Sequence, residues 1–323
     1  MKNKLFNKPY IIAEIGSNHN QSISIAKKSV IEAKKSGADA VKFQLFDGKK
    51  LYPDNLVIQK EFKKYEFNRF WIKPLSVLCK NLKIDFFFSV FDNSSLKYLK
   101  KFKFSTYKIA SSEATNYTLL NELSKINKIF LLSTGMCDLD DVSKAVKYFK
   151  NKKLVLMQCH SEYPLKEKDA NISVLGKYRN KFPEIELGFS DHTLSNHAAL
   201  TALGFGALVF EKHFTLNKKL KGPDHFYAYE PKEFKKYVDD IRKGFLCLGN
   251  GEKELIDAEI KNGRRLGIYA KQKIKKNTIL KKNFISFKSP IIGIRKKHLN
   301  KYLNKKLIKD VDINKPILKS YFK

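Results

Sequence analysis

The sequence is poor in cysteine, and its four cysteines lie far apart, at Cys79, Cys137, Cys159 and Cys247. This scatter argues against both a disulfide framework and a zinc ribbon, which need closely spaced pairs. The sequence also lacks an apolar run long enough to cross a membrane, and its first ten residues lack the apolar segment of a secretory signal. We therefore expect a cytoplasmic protein with no membrane partner.

Arginine is rare, with only six residues. Lysine and arginine together nevertheless number 64 against 32 acidic residues, so the formal net charge is +32. The lysines are spread along the whole chain, including predicted helix faces such as AKKSVIEAKKSG (26–37). Because base recognition usually favours arginine, we interpret the charge as a solvated basic surface and expect no nucleic-acid partner. A nucleic-acid-binding protein is the alternative from a different class, and it predicts DNA binding that weakens with salt.

Eight short apolar runs, most of them separated by helix-like segments, predict a parallel sheet covered by helices on both faces. Eight such units in about 250 residues predict a (β/α)8 (TIM) barrel. A doubly wound sheet is the structural alternative, and its dinucleotide-binding version is disfavoured because no GxGxxG motif follows the first run. The predicted strands are residues 10–16, 40–46, 86–91, 106–111, 129–134, 154–160, 186–191 and 208–214.

The pattern changes after residue 260, where short β-rich segments alternate with turn residues. We predict a barrel domain over residues 1–260 that ends in the polar helix EKELIDAEIKNG (252–263). A small β-rich domain with short helices is predicted over residues 261–323. The length of 323 residues, 43% of them hydrophobic, suffices for both domains.

Polar residues fall at the C-terminal ends of the predicted strands, where barrel enzymes carry their active sites. The seventh strand ends in Ser190, Asp191 and His192, and the eighth in Glu211, Lys212 and His213. The other polar residues at this end are Glu14, Lys42, Gln44, Ser89, Lys108, Ser111, Glu113, Ser161 and Tyr163.

These residue types suggest a metal beside an anion-binding site. Two imidazoles on adjacent strands suit Mn, Fe, Co or Zn and leave coordination positions open, although each histidine could instead be a core residue bonded to backbone carbonyls. Lys42 and Lys108, with neighbouring serines, could bind a phosphate or carboxylate. Glu14, Glu113 and Asp224 are acid–base candidates. The combination suggests carbon–carbon bond formation between an anionic donor and a metal-polarised carbonyl.

The same residues lie in a series of motifs that resembles the sialic acid synthases, the family of N-acetylneuraminate, legionaminate and pseudaminate synthases. The resemblance covers essentially the whole chain and implies a (β/α)8 barrel followed by an antifreeze-like (SAF) domain. The motifs are IIAEIGSNHN (11–20), GADAVKFQ (37–44), YKIASSE (107–113), LLSTGM (131–136), CHSEYP (159–164), GFSDHT (188–193), EKHFT (211–215), GPDH (222–225), YEPKEF (229–234) and RRLGIYAKQKI (264–274).

The resemblance implies a transferase that condenses phosphoenolpyruvate with an N-acylated hexosamine, such as N-acetylmannosamine or a 2,4-diacetamido hexose. The products would be a nine-carbon 2-keto acid and phosphate; a related synthase acting on a phosphosugar is the alternative. His192 and His213 would hold Mn²⁺ or Mg²⁺, with Glu211 assisting through water. The residues implied for the donor are Lys42, Ser89, Lys108, Ser111, Ser161 and Ser190, those for the sugar are Glu14, Gln44, Tyr163 and Asp224, and those for catalysis are Glu14, Lys108, Glu113 and Asp224.

The family also implies a domain-swapped homodimer, in which an arginine of many members reaches the sugar's N-acyl group across the interface. This chain departs from that pattern, since KSPIIGI (288–294) has Ser289 in the arginine's place. A serine does not replace a planar guanidinium, so the resemblance leaves the exact sugar open. A catalytically inactive interaction protein is disfavoured because Lys42, Lys108, Glu113, His192 and His213 are all present.

Overall fold

The structure of the protein is a computed structural model that describes residues 5–261 and 265–323. The chain forms two compact units, one extending to Gly249 and the other running from Asn250 to Lys323. Residues 262–264, which belong to the predicted polar helix and to the start of the predicted C-terminal domain, lie outside the described ranges.

The first unit is a closed barrel of eight parallel strands that pair in chain order, and the eighth strand pairs with the first. The predicted (β/α)8 fold is therefore confirmed, and every predicted strand begins and ends within two residues of the observed one. The strands are β1 (Tyr10–Gly16), β2 (Ala40–Leu45), β3 (Asp85–Val90), β4 (Thr106–Ile109), β5 (Ile129–Ser133), β6 (Lys153–Gln158), β7 (Glu186–Asp191) and β8 (Ala207–His213).

Helices surround the barrel, and several begin at residues that satisfy the first free backbone amides. Asp138 accepts hydrogen bonds from the amides of Asp140 and Asp141, and Glu230 precedes a proline at the first helical position. No helix in the described part of the chain is both long and apolar enough to cross a membrane. The helices are α1 (Ile23–Lys35), α2 (Gly48–Leu51), α3 (Leu56–Lys63), α4 (Ile72–Leu82), α5 (Asn93–Leu99), α6 (Tyr117–Ser124), α7 (Leu139–Lys147), α8 (Val174–Lys181), α9 (His197–Gly204) and α10 (Pro231–Cys247).

The barrel interior changes from apolar to polar along the strands. Side chains at alternate positions of a strand point to the same face. The apolar interior is formed by Ile12, Ala40, Phe87, Leu131, Val155, Met157 and Val209. Two residues further along the same strands lie Glu14, Lys42, Ser89 and Glu211, all of them buried. The floor of a polar site is thus built directly on the apolar core.

The second unit contains the short helix α11 (Asp257–Lys261) and two antiparallel strands, β9 (Gly267–Ala270) and β10 (Ile285–Lys288). Isolated bridges, such as that between Ile274 and Val311, join the remaining extended segments. The unit has its own core, formed by Ile268, Ala270, Ile274, Leu280, Ile285, Ile294, Leu299, Leu307, Val311 and Ile317.

Candidate active site

A cavity of about 560 Å³ lies at the C-terminal end of the barrel strands. All eight strands, or the loops that follow them, contribute to its wall, with Ser133 supplied by β5. The predicted site residues on this wall are Glu14, Lys42, Gln44, Ser89, Lys108, Ser111, Ser161, Tyr163, Ser190, His192, Glu211, His213 and Asp224.

Lys42 lies at the centre of a buried network of charges. Its Nζ is 2.7 Å from Oε2 of Glu14 and 3.7 Å from Oε1 of Glu211, and it donates a 2.6 Å hydrogen bond to Ser89. Burial alone would lower the pKa of Lys42, but the two carboxylates outweigh it and raise the pKa above its ordinary value. Burial raises the pKa of Glu14 to about 7, although Lys42 opposes this. Lys42 is therefore charged, while Glu14 exchanges its proton near neutral pH.

Lys108 enters the cavity from β4 and has neutral partners. Its Nζ donates to the hydroxyl of Ser133 at 2.6 Å and to the carbonyl of Ile109 at 3.0 Å. Burial lowers the pKa of Lys108, an effect that Glu211 opposes. Burial would raise the pKa of Glu211, but Lys108 and Lys42 outweigh it and lower the pKa, so Glu211 stays ionised between the two lysines.

His192 and His213 lie side by side at the ends of the neighbouring strands β7 and β8, with ring centroids 5.6 Å apart. Nδ1 of His192 is 2.6 Å from the carbonyl oxygen of His160. A carbonyl only accepts, so Nδ1 carries the proton and, in the neutral ring, Nε2 has a free lone pair. Burial would lower the pKa of His192, but Cys159 and this carbonyl outweigh it and raise the pKa, so a cation must compete with a proton there. Burial holds the pKa of His213 well below its usual value, which keeps that ring neutral.

The donor set fits a cation held by two imidazoles. No cluster of three histidine, cysteine or carboxylate ligands occurs within residues 5–261 and 265–323. Oε2 of Glu211, two residues before His213 on β8, is buried without a hydrogen-bond partner, as expected for an acceptor that binds a water ligand. Two protein ligands leave positions open for substrate, which is typical of a catalytic rather than a structural metal site.

Carboxylates and hydroxyls lie beside His213, since Oδ2 of Asp224 is 3.9 Å and the hydroxyl of Tyr227 is 3.4 Å from its Nδ1. Asp224 accepts hydrogen bonds from Tyr227 at 2.8 Å and from Ser17 at 3.3 Å, and burial raises its pKa. Nε2 of Gln44 donates to Glu14 at 2.9 Å. Such groups suit a polyhydroxylated ligand, since a carboxylate accepts and an amide both donates and accepts.

The loop that carries Asp224 is held by the next residue, His225, which is fully buried. Its Nε2 is 2.8 Å from Oδ1 of Asn20, and its Nδ1 is 2.7 Å from the hydroxyl of Thr215. His225 therefore joins the end of β8 to the loop after β1.

Of the residues that the family resemblance implies for the site, Glu113 is the one that does not line the cavity. It follows β4 in a 3₁₀ turn, Ser111–Glu113, that directs Ser111 toward the cavity and Glu113 toward α6. Its carboxylate accepts from Asn116 at 2.7 Å and from Ser112 at 3.2 Å. In this conformation Glu113 supports the turn rather than facing a ligand.

The sequence reasoning missed several wall residues. Ser17, Ser133 and Tyr227 lie within or beside the quoted motifs, so the motifs were a signal for them. The outer part of the cavity is lined by Phe46, Glu61, Phe62, Tyr65, Phe91 and Met136. Three of these residues, Glu61, Phe62 and Tyr65, belong to α3 or to the turn after it. The sequence of a helix between two strands does not show whether that helix packs over the mouth of the barrel.

The known proteins that resemble this chain over most of its length include several that are named as sialic acid synthases or as synthases of related acids. The N,N'-diacetyllegionaminic acid synthase of Campylobacter jejuni is 34% identical over 92% of this chain and 95% of its own length. A pseudaminic acid synthase of Campylobacter jejuni is 31% identical over 98% of this chain and 97% of its own length. The crystal structure of the N-acetylneuraminic acid synthetase of Leptospira borgpetersenii, in complex with citrate, matches with a TM-score of 0.76 at 32% identity, over 79% of this chain and 90% of that one.

The model of the NeuB family matches residues 29–253, which is more than half of the chain and includes all of β2 to β8. The matched region contains most of the cavity wall described above. On the length of this match and the identity to these relatives, the chain belongs to the NeuB family.

Proposed function

We propose that the protein is a nonulosonic acid synthase that condenses phosphoenolpyruvate, an N-acylated hexosamine and water to a nine-carbon 2-keto acid and phosphate. The observation that carries this proposal is the convergence of Lys42, Lys108, His192 and His213 on one cavity. Two ammonium groups suit a trianionic donor, and two imidazoles suit a divalent ion beside it. The names of the relatives support the same reaction class.

The donor's phosphate and carboxylate would bind to the two lysines and to the hydroxyls around them. Two of these hydroxyls already contact the lysines, since Lys42 donates to Ser89 and Lys108 to Ser133 at 2.6 Å. Hydrogen bonds from charged donors in a water-poor cavity are stronger than in solution. The remaining proposed donor-binding hydroxyls are Ser111, Ser161 and Ser190.

His192 and His213 would hold Mn²⁺ or Mg²⁺, with Glu211 assisting through water; when bound, the ion makes the aldehyde carbon of the sugar more electrophilic. The sugar would contact Glu14, Gln44, Tyr163 and Asp224. C3 of phosphoenolpyruvate would attack the aldehyde carbon, and Glu14, with its pKa of about 7, would supply the proton that the aldehyde oxygen gains.

Water would then add to C2 of the donor, where positive charge has developed. Asp224, whose pKa burial raises, would accept the proton that this water loses. In the resulting tetrahedral adduct the C2–O bond to phosphate would break as the C2 hydroxyl gives its proton to the departing phosphate, which leaves the 2-keto acid. Lys42 and Lys108 would stabilise the phosphate and the carboxylate throughout, because both ammonium groups are fixed in the cavity wall before the reaction.

We also propose that residues 261–323, which lie within the unit from Asn250 to Lys323, form the antifreeze-like domain and that two chains form a domain-swapped homodimer. Its separate core supports an independent domain. Analytical ultracentrifugation at assay concentrations tests the dimer, and a monomer that turns over at the full rate would contradict it.

The reaction is tested by incubating the metal-stripped protein with phosphoenolpyruvate, Mn²⁺ and a panel of sugars. The panel contains N-acetylmannosamine, its 6-phosphate and 2,4-diacetamido hexoses, and phosphate release and product mass are measured. We expect release that depends on both metal and sugar. Turnover of the phosphorylated sugar alone would favour the phosphosugar synthase, and no release with any sugar would contradict the proposal.

The metal role is tested by His213→Ala, with His197→Ala as the matched control because His197 is exposed and does not line the cavity. We expect His213→Ala to lose Mn²⁺ binding and turnover together while its circular dichroism stays native. The His197→Ala protein should keep both. Turnover retained by His213→Ala would refute the metal role.

A further inference from the structure

Lys212 lies between Glu211 and His213 in sequence, yet its side chain does not share their cavity. Side chains alternate along a strand, so Glu211 and His213 face inward and Lys212 faces the surrounding helices. The neighbouring strand repeats the arrangement, since Ser190 and His192 line the cavity and Asp191 does not. In the register of β7 and β8, Asp191 is paired directly with Lys212.

These two outward-facing residues form a buried ion pair. Nζ of Lys212 lies 3.2 Å from Oδ2 of Asp191, and each residue is only 1% exposed. The same ammonium donates a hydrogen bond to the backbone carbonyl of Thr193 and lies 4.3 Å from the centroid of the Tyr229 ring. The pair is therefore enclosed by protein on every side, where an ion pair is screened least by solvent.

Asp191 and Lys212 together hold the backbone on both sides of His192. Oδ1 of Asp191 accepts hydrogen bonds from the amide of Thr193 at 2.9 Å and from its hydroxyl at 2.8 Å. Lys212 binds the carbonyl of the same threonine. The peptide segment carrying His192 is thus tied through Lys212 to β8, one residue before His213.

We propose that the Asp191–Lys212 ion pair is a positioning pair that fixes the separation and orientation of the two imidazoles from behind the barrel wall. The inference rests on the proposed metal role of His192 and His213. Groups that orient metal ligands without touching the metal affect affinity strongly, because a ligand that must be reoriented on binding binds less tightly.

The inference is tested with Lys212→Met, which keeps the length of the side chain and removes the charge. We expect the Kd for Mn²⁺, measured on the full-length protein by the electron paramagnetic resonance of free Mn²⁺, to rise about 10-fold or more. Arg242→Met is the matched control, because Arg242 forms an ion pair with Asp39 at 3.2 Å at the opposite end of the barrel. It should lower the melting temperature and leave the Kd unchanged.

Two further variants keep the test decisive if Lys212→Met does not fold. Asp191→Asn/Lys212→Met removes both charges and so leaves no unpaired ion, and Thr193→Val removes only the hydroxyl that Asp191 binds. Both should raise the Kd, Thr193→Val by less. An unchanged Kd in every folded variant would overturn the inference, as would a rise in Arg242→Met as large as in Lys212→Met.

A measurement that does not need metal separates this inference from the proposed function. Crystal structures of the metal-free wild type and of the double variant give the distance between the His192 and His213 rings, which is 5.6 Å here. If the wild type binds no Mn²⁺ but the rings separate in the variant, the metal role fails and the positioning role stands. Rings unmoved in the variant would overturn the positioning role whatever the wild type binds.

Discussion

Replacing Gly135 by alanine should weaken donor binding without unfolding the barrel. Gly135 follows β5, and its amide donates a 2.9 Å hydrogen bond to the hydroxyl of Ser111. A Cβ at this position would lie 2.5 Å from Oγ of Ser161 and 2.8 Å from Oγ of Ser111, both shorter than the 3.4 Å of ordinary contact. The two hydroxyls would have to move by about 0.9 and 0.6 Å. Rotation of the Ser161 hydroxyl removes its overlap with the added carbon. Cβ of Ser111 also lies 3.1 Å from that carbon, and rotation of Ser111 gives up the hydrogen bond from Gly135, so the cost is divided between ligand contacts and stability.

The size of the effect follows from the hydrogen bonds at stake. A hydrogen bond to a charged group contributes about 1.5 to 3 kcal/mol, so displacing one serine from the donor should raise the KM for phosphoenolpyruvate about 10- to 150-fold. Phosphate release at saturating sugar measures this KM. Gly204→Ala is the matched control, since a Cβ there meets no atom within 4 Å. A folded Gly135→Ala protein with the wild-type KM would refute the assignment of Ser111 and Ser161 to the donor.

Two further outcomes concern pH. Burial lowers the pKa of His19 from its ordinary 6.5 to about 4, so between these values the unfolded state binds a proton that the folded state does not. The contribution of His19 to the free energy of unfolding should therefore fall by about 3 kcal/mol as pH drops from 6.5 to 4. Denaturant titrations over this pH range should show a smaller fall in the free energy of unfolding for His19→Phe than for the wild type. Equal falls in the two proteins would contradict this. Tyr227→Phe removes a hydrogen bond that lowers the pKa of Asp224, so the pKa of Asp224 should rise. The acidic limb of the profile of kcat/KM against pH should then move to higher pH. An unmoved limb would exclude Asp224 as the group that must be ionised.

The inner face of the barrel could be predicted from sequence because strand alternation fixes it. Once Glu211 and His213 are placed on the inside, Lys212 must face the helices, and the register then pairs it with Asp191. Positions after the strands follow no such rule. Glu113 lies four residues beyond β4, and a single 3₁₀ turn directs its carboxylate to Asn116 instead of the cavity.

The outer wall of the cavity could not be predicted for a different reason. Phe62 lies in α3 and Tyr65 two residues after it, and they reach the cavity only because this helical segment packs over the rim. The apolar pattern of a helix shows which face is buried but not which neighbour buries it. Contacts that depend on how a helix packs on the barrel therefore appear only in the structure.

Lys42 and Lys108 differ in their present partners, so binding of an anionic donor would have a different effect on each. Lys42 lies 2.7 Å from Glu14, whereas Lys108 contacts Ser133 and a backbone carbonyl and has no ion-pair partner in the described part of the chain. A buried ammonium without a carboxylate partner is costly, and an anionic donor would relieve that cost at Lys108. At Lys42 the donor must instead compete with Glu14. Lys108→Met should therefore weaken phosphoenolpyruvate binding more than Lys42→Met does.

Competition between Glu14 and the donor for Lys42 should make the protein take up a proton when the donor binds. Lys42 holds the pKa of Glu14 down to about 7 against burial, so a donor that draws Lys42 away raises that pKa further. Glu14 should then take up a proton as phosphoenolpyruvate binds at about pH 7.5. Calorimetry in buffers of different ionisation enthalpy measures this uptake, and it should be absent in Glu14→Gln. If the wild type takes up no proton while Lys42→Met still binds more weakly, the donor reaches Lys42 without displacing Glu14, and the proton for the aldehyde oxygen must come from another group.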